Sequence, residues 1–241
     1  MIRVGVLGAS GLLGCWLVPY LRQKPEFQVV TFGRSPDADC RVDFDSNELP
    51  ESLLRLEIDV VINLAALADV DRCQREADEA YRANVKVCEE IAVFLDRRPE
   101  AFCVQVSTDH FYDGPGAKRE EETVFLNTYA VTKYAGELAL ANRRSVILRT
   151  NFFGRANGGR KPSFSDTIVN SFRTGQKMQL FTDAYFSPLH WSTLVEIMGQ
   201  ILLAPKFGVF NLGSTTFLSK ADFSLSLIEK IGLPASNYVL T

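Results

Sequence analysis

Two residues four positions apart, Tyr129 and Lys133, could form an acid–base pair. They lie in the stretch NTYAVTKYAGE, residues 127–137, which has helical periodicity to about residue 142. At this spacing the two side chains share one face of a helix. A nearby ammonium favours the phenolate, and lowering a tyrosine pKa from about 10 to near 7 corresponds to roughly 4 kcal/mol. Such a tyrosine could exchange a proton with the oxygen of a carbonyl or alcohol.

Spacing alone does not separate catalysis from packing, because this pattern often arises by chance. Tyr134 serves as an internal comparison: it lies about 100° around the helix from Lys133, so we expect it to pack in the core. A second polar group, Thr108, follows the apolar run 101–107. Strand ends face the ligand crevice in open α/β sheets, so its hydroxyl could bind a substrate carbonyl. A turn or a helix cap is the structural alternative for Thr108.

The chain begins with an apolar β run, residues 2–7, followed at once by Gly8-Ala9-Ser10-Gly11-Leu12-Leu13-Gly14. Between a strand and a helix, the first glycine permits a tight turn and the second lets the backbone approach a pyrophosphate at the helix N-terminus. The third lets helix and strand pack closely. A dinucleotide bound there could exchange hydride with the same carbonyl–alcohol pair. The alternative is a tight turn without a ligand.

The end of the second strand bears on which dinucleotide binds. Sites for NAD usually place an Asp or Glu there for the ribose 2′-hydroxyl, but here the first acid is Asp37. Arg34 could pair with a 2′-phosphate, so we expect NADP (as NADPH) in preference to NAD. A solvated surface arginine is the alternative. Asp43, after the short third strand, could bind the adenine amino group or be an ordinary loop acid.

Alternating strand-like and helix-like segments supply the framework for these residues. This rhythm predicts an α/β fold, a Rossmann-type doubly wound parallel sheet covered by helices. We expect a dinucleotide-binding domain over residues 1–153 and a smaller, interleaved substrate-binding lobe over 154–241, lacking a final segment. The predicted strands are 2–7, 27–32, 40–44, 58–66, 101–107, 145–150, 177–182 and 207–211, and the predicted helices are 11–23, 74–96, 127–142, 163–175, 191–204 and 219–231.

Composition narrows the functional classes. The chain is 46% hydrophobic with a net charge of -3, which predicts a soluble globular protein without a basic patch for nucleic acid. We find no apolar run of about 18 residues for a membrane span and no signal peptide. Five scattered cysteines indicate reduced thiols in a cytoplasmic protein, and the two histidines have no metal-ligand spacing. The sequence is compatible with a homodimer but does not decide the oligomeric state.

Several motifs together resemble the extended short-chain dehydrogenases/reductases, with the greatest similarity to the dTDP-4-dehydrorhamnose reductase family. These motifs are the glycine loop, Tyr129 with Lys133, and the segments 63–66, 106–109 and 148–150. Longer segments, 62–84, 107–114 and 183–202, resemble the same family. The similarity extends over essentially the whole chain, in order.

The resemblance implies a Thr108, Tyr129 and Lys133 triad in which Tyr129 donates a proton during NADPH-dependent reduction of a nucleotide-linked 4-keto-6-deoxy sugar. It implies that Asn84 supports Lys133 through water or the backbone, and that Phe152 and Phe153 border the nicotinamide or the sugar. The basic loop 154–163, with Arg155, Arg160 and Lys161, is our candidate for contact with the nucleotide diphosphate. The expected cofactor contacts are Gly8, Ser10, Gly11, Leu12, Leu13, Gly14, Arg34, Asp43, Leu64, Ala65, Ala66, Asn84, Tyr129, Lys133 and Phe152. The expected substrate contacts are Thr108, Asp109, His110, Phe153 and Arg155.

Some residues depart from the family pattern. His110 stands where an aromatic substrate contact is expected, and Phe152 where the family often has Trp. Cys15-Trp16 replaces a glutamate that holds a bridging metal in some members, so we expect no metal. A dehydratase would tend to have Glu at position 110, but an epimerase and a regulatory cofactor-binding subunit without turnover remain alternatives. The nucleotide carrier and the sugar stay open.

Overall fold

The computed structural model describes residues 1–114, 116–156 and 162–241. It divides into two compact units, residues 1–149 with 195–211 and residues 150–194 with 212–241. The boundary expected after residue 153 lies just beyond the first division point. Residues 195–211 return to the first unit, so the two units interleave along the chain. Their assignment to cofactor and substrate stays a proposal.

Most expected strands and helices are present within about three residues of their expected bounds, but a helix over 49–55 and five short strands of the second unit were not expected. The strands are β1 (Ile2–Leu7), β2 (Phe27–Gly33), β3 (Cys40–Arg41), β4 (Val60–Asn63), β5 (Phe102–Thr108), β6 (Ser145–Thr150), β7 (Phe152–Phe153), β8 (Met178–Leu180), β9 (Tyr185–Phe186), β10 (Leu189–His190), β11 (Gly208–Leu212), β12 (Leu218–Ser219) and β13 (Tyr238–Leu240). The helices are α1 (Gly14–Arg22), α2 (Leu49–Arg55), α3 (Val70–Arg75), α4 (Ala77–Tyr81), α5 (Val87–Arg97), α6 (Thr128–Leu140), α7 (Phe164–Thr174), α8 (Trp191–Leu203) and α9 (Lys220–Lys230).

Within the described ranges, seven strands form the main sheet in the order β11-β6-β5-β4-β1-β2-β3. The register of β1 with β2 and β4 is parallel, as is that of β4 with β5 and of β2 with β3. Strand order reverses between β1 and β4, where parallel α/β sheets open a ligand crevice at their carboxyl edge. The predicted Rossmann-type doubly wound sheet is confirmed.

Both faces of this sheet are covered. Leu7 and Phe32 belong to a core that also contains Leu53 of α2 and Ile91 of α5. Val6 has no exposed surface either, although its side chain points to the opposite face from Leu7 because residues alternate along a strand. Burial on both faces explains why the strands are continuous apolar runs.

The helix expected over residues 74–96 is interrupted. Glu76 has φ -123° and ψ 60°, which ends α3, and residues Arg82–Lys86 form one widened π turn between α4 and α5. Wide turns of this kind often occur at functional sites. Gly136 of α6 lies against this turn: a Cβ there would stand 2.3 Å from the carbonyl oxygen of Asn84. Only glycine therefore permits this approach of α6 to the π turn.

The second unit has its own aromatic core. Phe223 lies 5.0 Å from Phe153 and 5.3 Å from Phe186 between ring centroids, in edge-to-face arrangements. Helix α7 begins with a capping box formed by Ser163 and Asp166 and ends at Gly175, whose φ is +68°. In the parts of the chain described, no helix combines the length and apolarity that crossing a bilayer requires.

Candidate active site

The glycine turn after β1 is tightly folded. Gly8 has φ +76°, and its carbonyl accepts a hydrogen bond of 2.9 Å from the amide of Gly11. A Cβ at Gly14 would stand 2.5 Å from the Gly8 oxygen, so helix and turn pack as the motif requires. A Cβ at Gly11 would meet only that oxygen, at 3.2 Å. This contact is tighter than most Cβ contacts in proteins, so a side chain at Gly11 would require the turn to shift by a few tenths of an ångström.

The N-terminus of α1 suits an anion. Its N-cap residue, Leu13, makes no side-chain capping bond, and the first turn contains no acidic residue. The first amides of a helix carry partial positive charge and attract phosphate. The expected pyrophosphate contacts at Gly8, Ser10, Gly11, Leu12, Leu13 and Gly14 all belong to this turn and helix start.

The residues expected after β4 lie against the glycine turn. A Cβ at Gly8 would be 2.7 Å from both the amide nitrogen of Ala65 and the carbonyl carbon of Leu64. Leu64 donates its amide to the Leu7 carbonyl at 3.0 Å. Ala66 is exposed beside them. The structure thus brings the 64–66 segment and the glycine turn together at one sheet edge.

A buried amide pair, not anticipated from the sequence, holds that segment. Asn63 donates to the Gln105 side chain at 2.8 Å and accepts from the Ala65 amide at 3.1 Å. Both amide side chains are almost completely buried. Buried polar groups of this kind are satisfied by one another and fix their surroundings. Their signal was present in the sequence, as one polar residue within each of two apolar strands.

The strand end, Thr108, and the helical Tyr129 are brought together. Both side chains are buried, at 4% and 8% exposure. Burial raises the pKa of Tyr129 to about 12, while a hydrogen bond with Thr108 acts in the opposite direction. The Thr108 hydroxyl also accepts from the His110 amide at 3.2 Å. This phenol is therefore protonated at neutral pH and linked to a second hydroxyl.

The expected lowering of the Tyr129 pKa by Lys133 together with a bound nicotinamide stays a prediction, because the chain by itself behaves differently. The Tyr129 pKa rises instead of falling, because burial of the phenol outweighs the favourable contacts. Lys133 is also buried, and its ammonium donates to the Val106 carbonyl at 2.8 Å. Burial lowers the pKa of Lys133, with Cys88 and Glu137 acting to raise it. The lysine ties α6 to β5, one residue position from Ser107.

Asn84, expected to support Lys133, makes different contacts. From the π turn its side chain accepts the Leu67 amide at 2.8 Å and donates to the Leu67 carbonyl at 3.2 Å. It also donates to the Thr132 hydroxyl at 3.1 Å, next to Lys133 on α6. Asn84 therefore connects the chain after β4 to α6, and its expected support of Lys133 through water or the backbone stays a prediction.

Two expected substrate residues lie beside the phenol. The His110 ring is exposed and stands edge-on to the Tyr129 ring, with 5.6 Å between centroids and an interplanar angle of 88°. Asp109 is half-buried, and its charge acts to raise the Tyr129 pKa. Tyr134, by contrast, packs on Phe125 at 4.7 Å and on Phe111 at 5.8 Å between centroids, as expected for a core residue.

Arg34 and Asp43 lie beyond the ends of β2 and β3. Arg34 is exposed and forms no ion pair with any residue of the described ranges. Asp39, an acid close by, accepts instead from the Thr31 amide and hydroxyl at 2.9 and 2.8 Å, and from Arg22 at 2.7 Å. Asp43 is exposed and accepts from the Asp45 amide at 3.2 Å, so it forms an ordinary Asx turn.

The remaining expected residues belong to the second unit. Phe152 and Phe153 form β7, which pairs with β10, and the Phe153 ring lies 5.3 Å from the His190 ring. Arg155 is exposed, and its charge helps to lower the pKa of Asp166. Arg160 and Lys161, two residues of the proposed diphosphate loop, lie outside the described residues. Among residues that are described, no group of three or more His, Cys, Asp or Glu could hold a metal ion.

A parallel sheet in this strand order, with a glycine turn after its first strand and a Tyr–Lys helix beside the strand-end Thr, is the architecture of the short-chain dehydrogenases and reductases. The model of a protein family described as RmlD substrate binding domain matches residues 2–239. The chain belongs to this family.

Relatives and a solved structure agree with that assignment. The chain is 30% identical over 239 residues to the probable low-salt glycan biosynthesis reductase Agl14 of Haloferax volcanii, covering 94% of this chain and 79% of the relative. It is 25% identical over 243 residues to dTDP-4-dehydrorhamnose reductase of Aggregatibacter actinomycetemcomitans, covering 95% and 79%. A crystal structure of dTDP-4-dehydrorhamnose reductase from Bacillus anthracis in complex with NADP superimposes with a TM-score of 0.87 at 22% identity, covering 100% of this chain and 84% of that one. The predicted family and the predicted oxidoreductase class are confirmed.

Proposed function

We propose that the protein reduces the 4-keto group of a nucleotide-linked 6-deoxy sugar with NADPH. The observation that carries this proposal is geometric: the Tyr129 phenol is 8% exposed and hydrogen-bonded to Thr108 at the end of β5, and Lys133 lies one helical turn further along α6. Reduction of a ketone requires a proton donor that is still protonated at neutral pH. The names of the relatives, which include dTDP-4-dehydrorhamnose reductase, support the substrate class.

The described residues suit a dinucleotide. Gly11 is exposed in the glycine turn, and the start of α1, which has no side-chain cap, offers amides to a pyrophosphate. Arg34, exposed and without an ionic partner among the described residues, suits a 2′-phosphate, and Asp39 is engaged by Thr31 and Arg22. These features favour NADPH over NADH, and the relative from Bacillus anthracis is itself in complex with NADP. When bound, the dinucleotide supplies hydride.

The protein residues then have separate tasks. Thr108 hydrogen-bonds the substrate carbonyl oxygen and keeps it next to the Tyr129 hydroxyl. Tyr129 donates its proton to that oxygen as negative charge develops there. Lys133 fixes α6 to β5 through the Val106 carbonyl, so the phenol keeps its place relative to Thr108. Asp109, His110, Phe153 and Arg155 remain proposed substrate contacts.

Steady-state turnover tests the proposal. The purified protein is mixed with NADPH and dTDP-4-keto-6-deoxy sugar, and oxidation of NADPH is followed by its loss of absorbance. The same assay with UDP-, GDP- and CDP-linked sugars identifies the carrier. Tight NADPH binding without oxidation with any carrier would indicate a regulatory subunit. Sugar isomerisation without net NADPH oxidation would indicate an epimerase.

The cellular compartment is part of the proposal. All five cysteines lie in the described ranges and are buried free thiols. Thiols persist in reducing compartments, which supports a cytoplasmic location. Fractionation of cells that produce the protein, followed by immunodetection, tests this location.

A further inference from the structure

A buried ion pair lies behind the proposed catalytic residues. Glu137 of α6 and Arg149 of β6 are each 3% exposed at the side chain. Two nitrogens of the Arg149 guanidinium bind the Glu137 carboxylate. Nη2 donates to Oε2 at 2.7 Å, and Nε lies 3.1 Å from Oε1 and 3.2 Å from Oε2. Such a fork fixes both the distance and the relative orientation of its partners.

The Glu137 carboxylate of this pair contacts the end of β5. The Ser107 hydroxyl donates to Oε1 of Glu137, and Ser107 immediately precedes Thr108 on β5. Glu137 lies one helical turn beyond Lys133, which itself bonds the Val106 carbonyl. Strand β5 and helix α6 are therefore tied at two adjacent residues, just before Thr108.

The Arg149 guanidinium contacts the segment 109–126 that follows the strand. Arg149 Nη1 donates to the Tyr112 hydroxyl at 2.9 Å and to the Glu120 carbonyl at 2.6 Å, and its guanidinium lies 4.8 Å from the centre of the Phe111 ring. The Tyr112 hydroxyl in turn donates to Asn211 at 2.5 Å. One arginine thus holds two separate points of the segment that carries Asp109 and His110.

Stability alone does not account for such a pair. Removing two charges from water costs several kcal/mol per ion, and apolar replacements of a buried pair of similar volume are often neutral or stabilising. Apolar replacements, however, lack the directed bonds from Glu137 and Arg149 to Ser107, Tyr112 and the Glu120 carbonyl. The contribution that apolar side chains could not supply is therefore geometric.

We propose that Glu137 and Arg149 are positioning residues: together they set the strand end that carries Thr108 relative to the helix that carries Tyr129, and they hold the 109–126 segment in its substrate-binding conformation. Both side chains are 3% exposed, and in this proposal they act through Ser107, Tyr112 and the Glu120 carbonyl. The expected effect of this pair on turnover rests on the proposed reductase function. Its expected effect on the conformation of the 109–126 segment does not.

The decisive variant is the double replacement Glu137→Leu with Arg149→Met, which removes both charges at similar volume. We expect it to fold with a somewhat lower melting temperature, because the Ser107 hydroxyl loses its acceptor and the Glu120 carbonyl loses its donor. NADPH affinity should stay within about 2-fold, because the glycine turn is untouched. We expect kcat to fall at least about 10-fold, since misplacement by about 1 Å can cost roughly 100-fold. Amide hydrogen exchange in 109–126 should accelerate about 10-fold. Normal kcat and normal exchange in a folded double variant would overturn the proposal.

Two single variants test separately the contact with the strand end and the contact with the 109–126 segment. They also keep the proposal testable if the double variant does not fold. Ser107→Ala removes the link to the strand end, so kcat should fall while KM for the sugar nucleotide stays within about 2-fold. Tyr112→Phe loosens the 109–126 segment, so KM and exchange in that segment should rise with little change in kcat. The proposal that the two contacts position different parts of the site would be contradicted if Ser107→Ala changed mainly KM and Tyr112→Phe mainly kcat, or if neither variant changed either constant.

Failure of the proposed reductase function can be distinguished from failure of the positioning proposal. If the original chain oxidises no NADPH with any nucleotide sugar, the reductase proposal fails. Hydrogen exchange in the 109–126 segment of the double variant still reports whether the ion pair holds it. Accelerated exchange would then support only the expected effect on the conformation of this segment, and unchanged exchange would refute it.

Discussion

Replacing Tyr129 with Phe isolates the proposed proton donor. The substitution removes one hydroxyl and leaves a ring of the same size in a site that is 8% exposed. The lost hydrogen bond is the one with Thr108, and Thr108 keeps its contact with the His110 amide at 3.2 Å. No charged group loses its partner, so the free energy of unfolding should change by no more than about 1 kcal/mol.

The effect on turnover should be much larger. General acid catalysis contributes about 100- to 10,000-fold, so Tyr129→Phe should lower kcat by that factor. Affinity for NADPH should be nearly unchanged, since the glycine turn and Arg34 are unaltered.

The assay pairs kinetics with a matched control. NADPH oxidation gives kcat and KM, and fluorescence titration gives NADPH affinity for each variant. Tyr134→Phe removes a hydroxyl from the same helix, but that ring packs on Phe111 and Phe125, so kcat should stay within about 2-fold. If Tyr129→Phe retained kcat within about 3-fold while Tyr134→Phe lowered it, the assignment of the proton donor would be refuted.

Three further perturbations give separate tests. Because the Tyr129 pKa is about 12, the phenol stays protonated below that pH, and kcat for reduction should not fall through ionisation of the phenol between about pH 6 and 9. A fall of kcat centred near pH 7 on the alkaline side of the pH–rate profile would contradict this assignment. Arg34→Ala should weaken NADPH binding by roughly 10- to 100-fold in fluorescence titrations and leave NADH binding and the melting temperature alone, and equal loss for both dinucleotides would contradict a 2′-phosphate contact. Gly136→Ala places a Cβ 2.3 Å from the Asn84 carbonyl oxygen, so thermal denaturation should show a clear loss of stability, of about 1–3 kcal/mol, and an unchanged melting temperature would mean that α6 and the π turn are not so closely packed.

Local patterns predicted the main sheet well because each signal lies within a few residues. The run at 145–150 corresponds to β6 (Ser145–Thr150), and strands buried on both faces have to be apolar throughout. The broken helix over 74–96 could not be read this way. Its periodicity continues through the interruption, and the π turn at Arg82–Lys86 is set by contacts of Asn84 with Leu67 and Thr132, which are distant in sequence.

The sequence by itself determined which residues could do chemistry: the glycine turn, the strand-end Thr108, and Tyr129 one helical turn before Lys133. These follow from short-range spacing, which helices and strands convert directly into shared faces and edges. Only the tertiary structure decided how the groups behave. The Tyr129 pKa depends on everything that surrounds the ring, and the Lys133 ammonium binds a backbone carbonyl 27 residues away. Glu137 meets Ser107 across 30 residues and Arg149 across 12, and no local pattern encodes a partner at that distance.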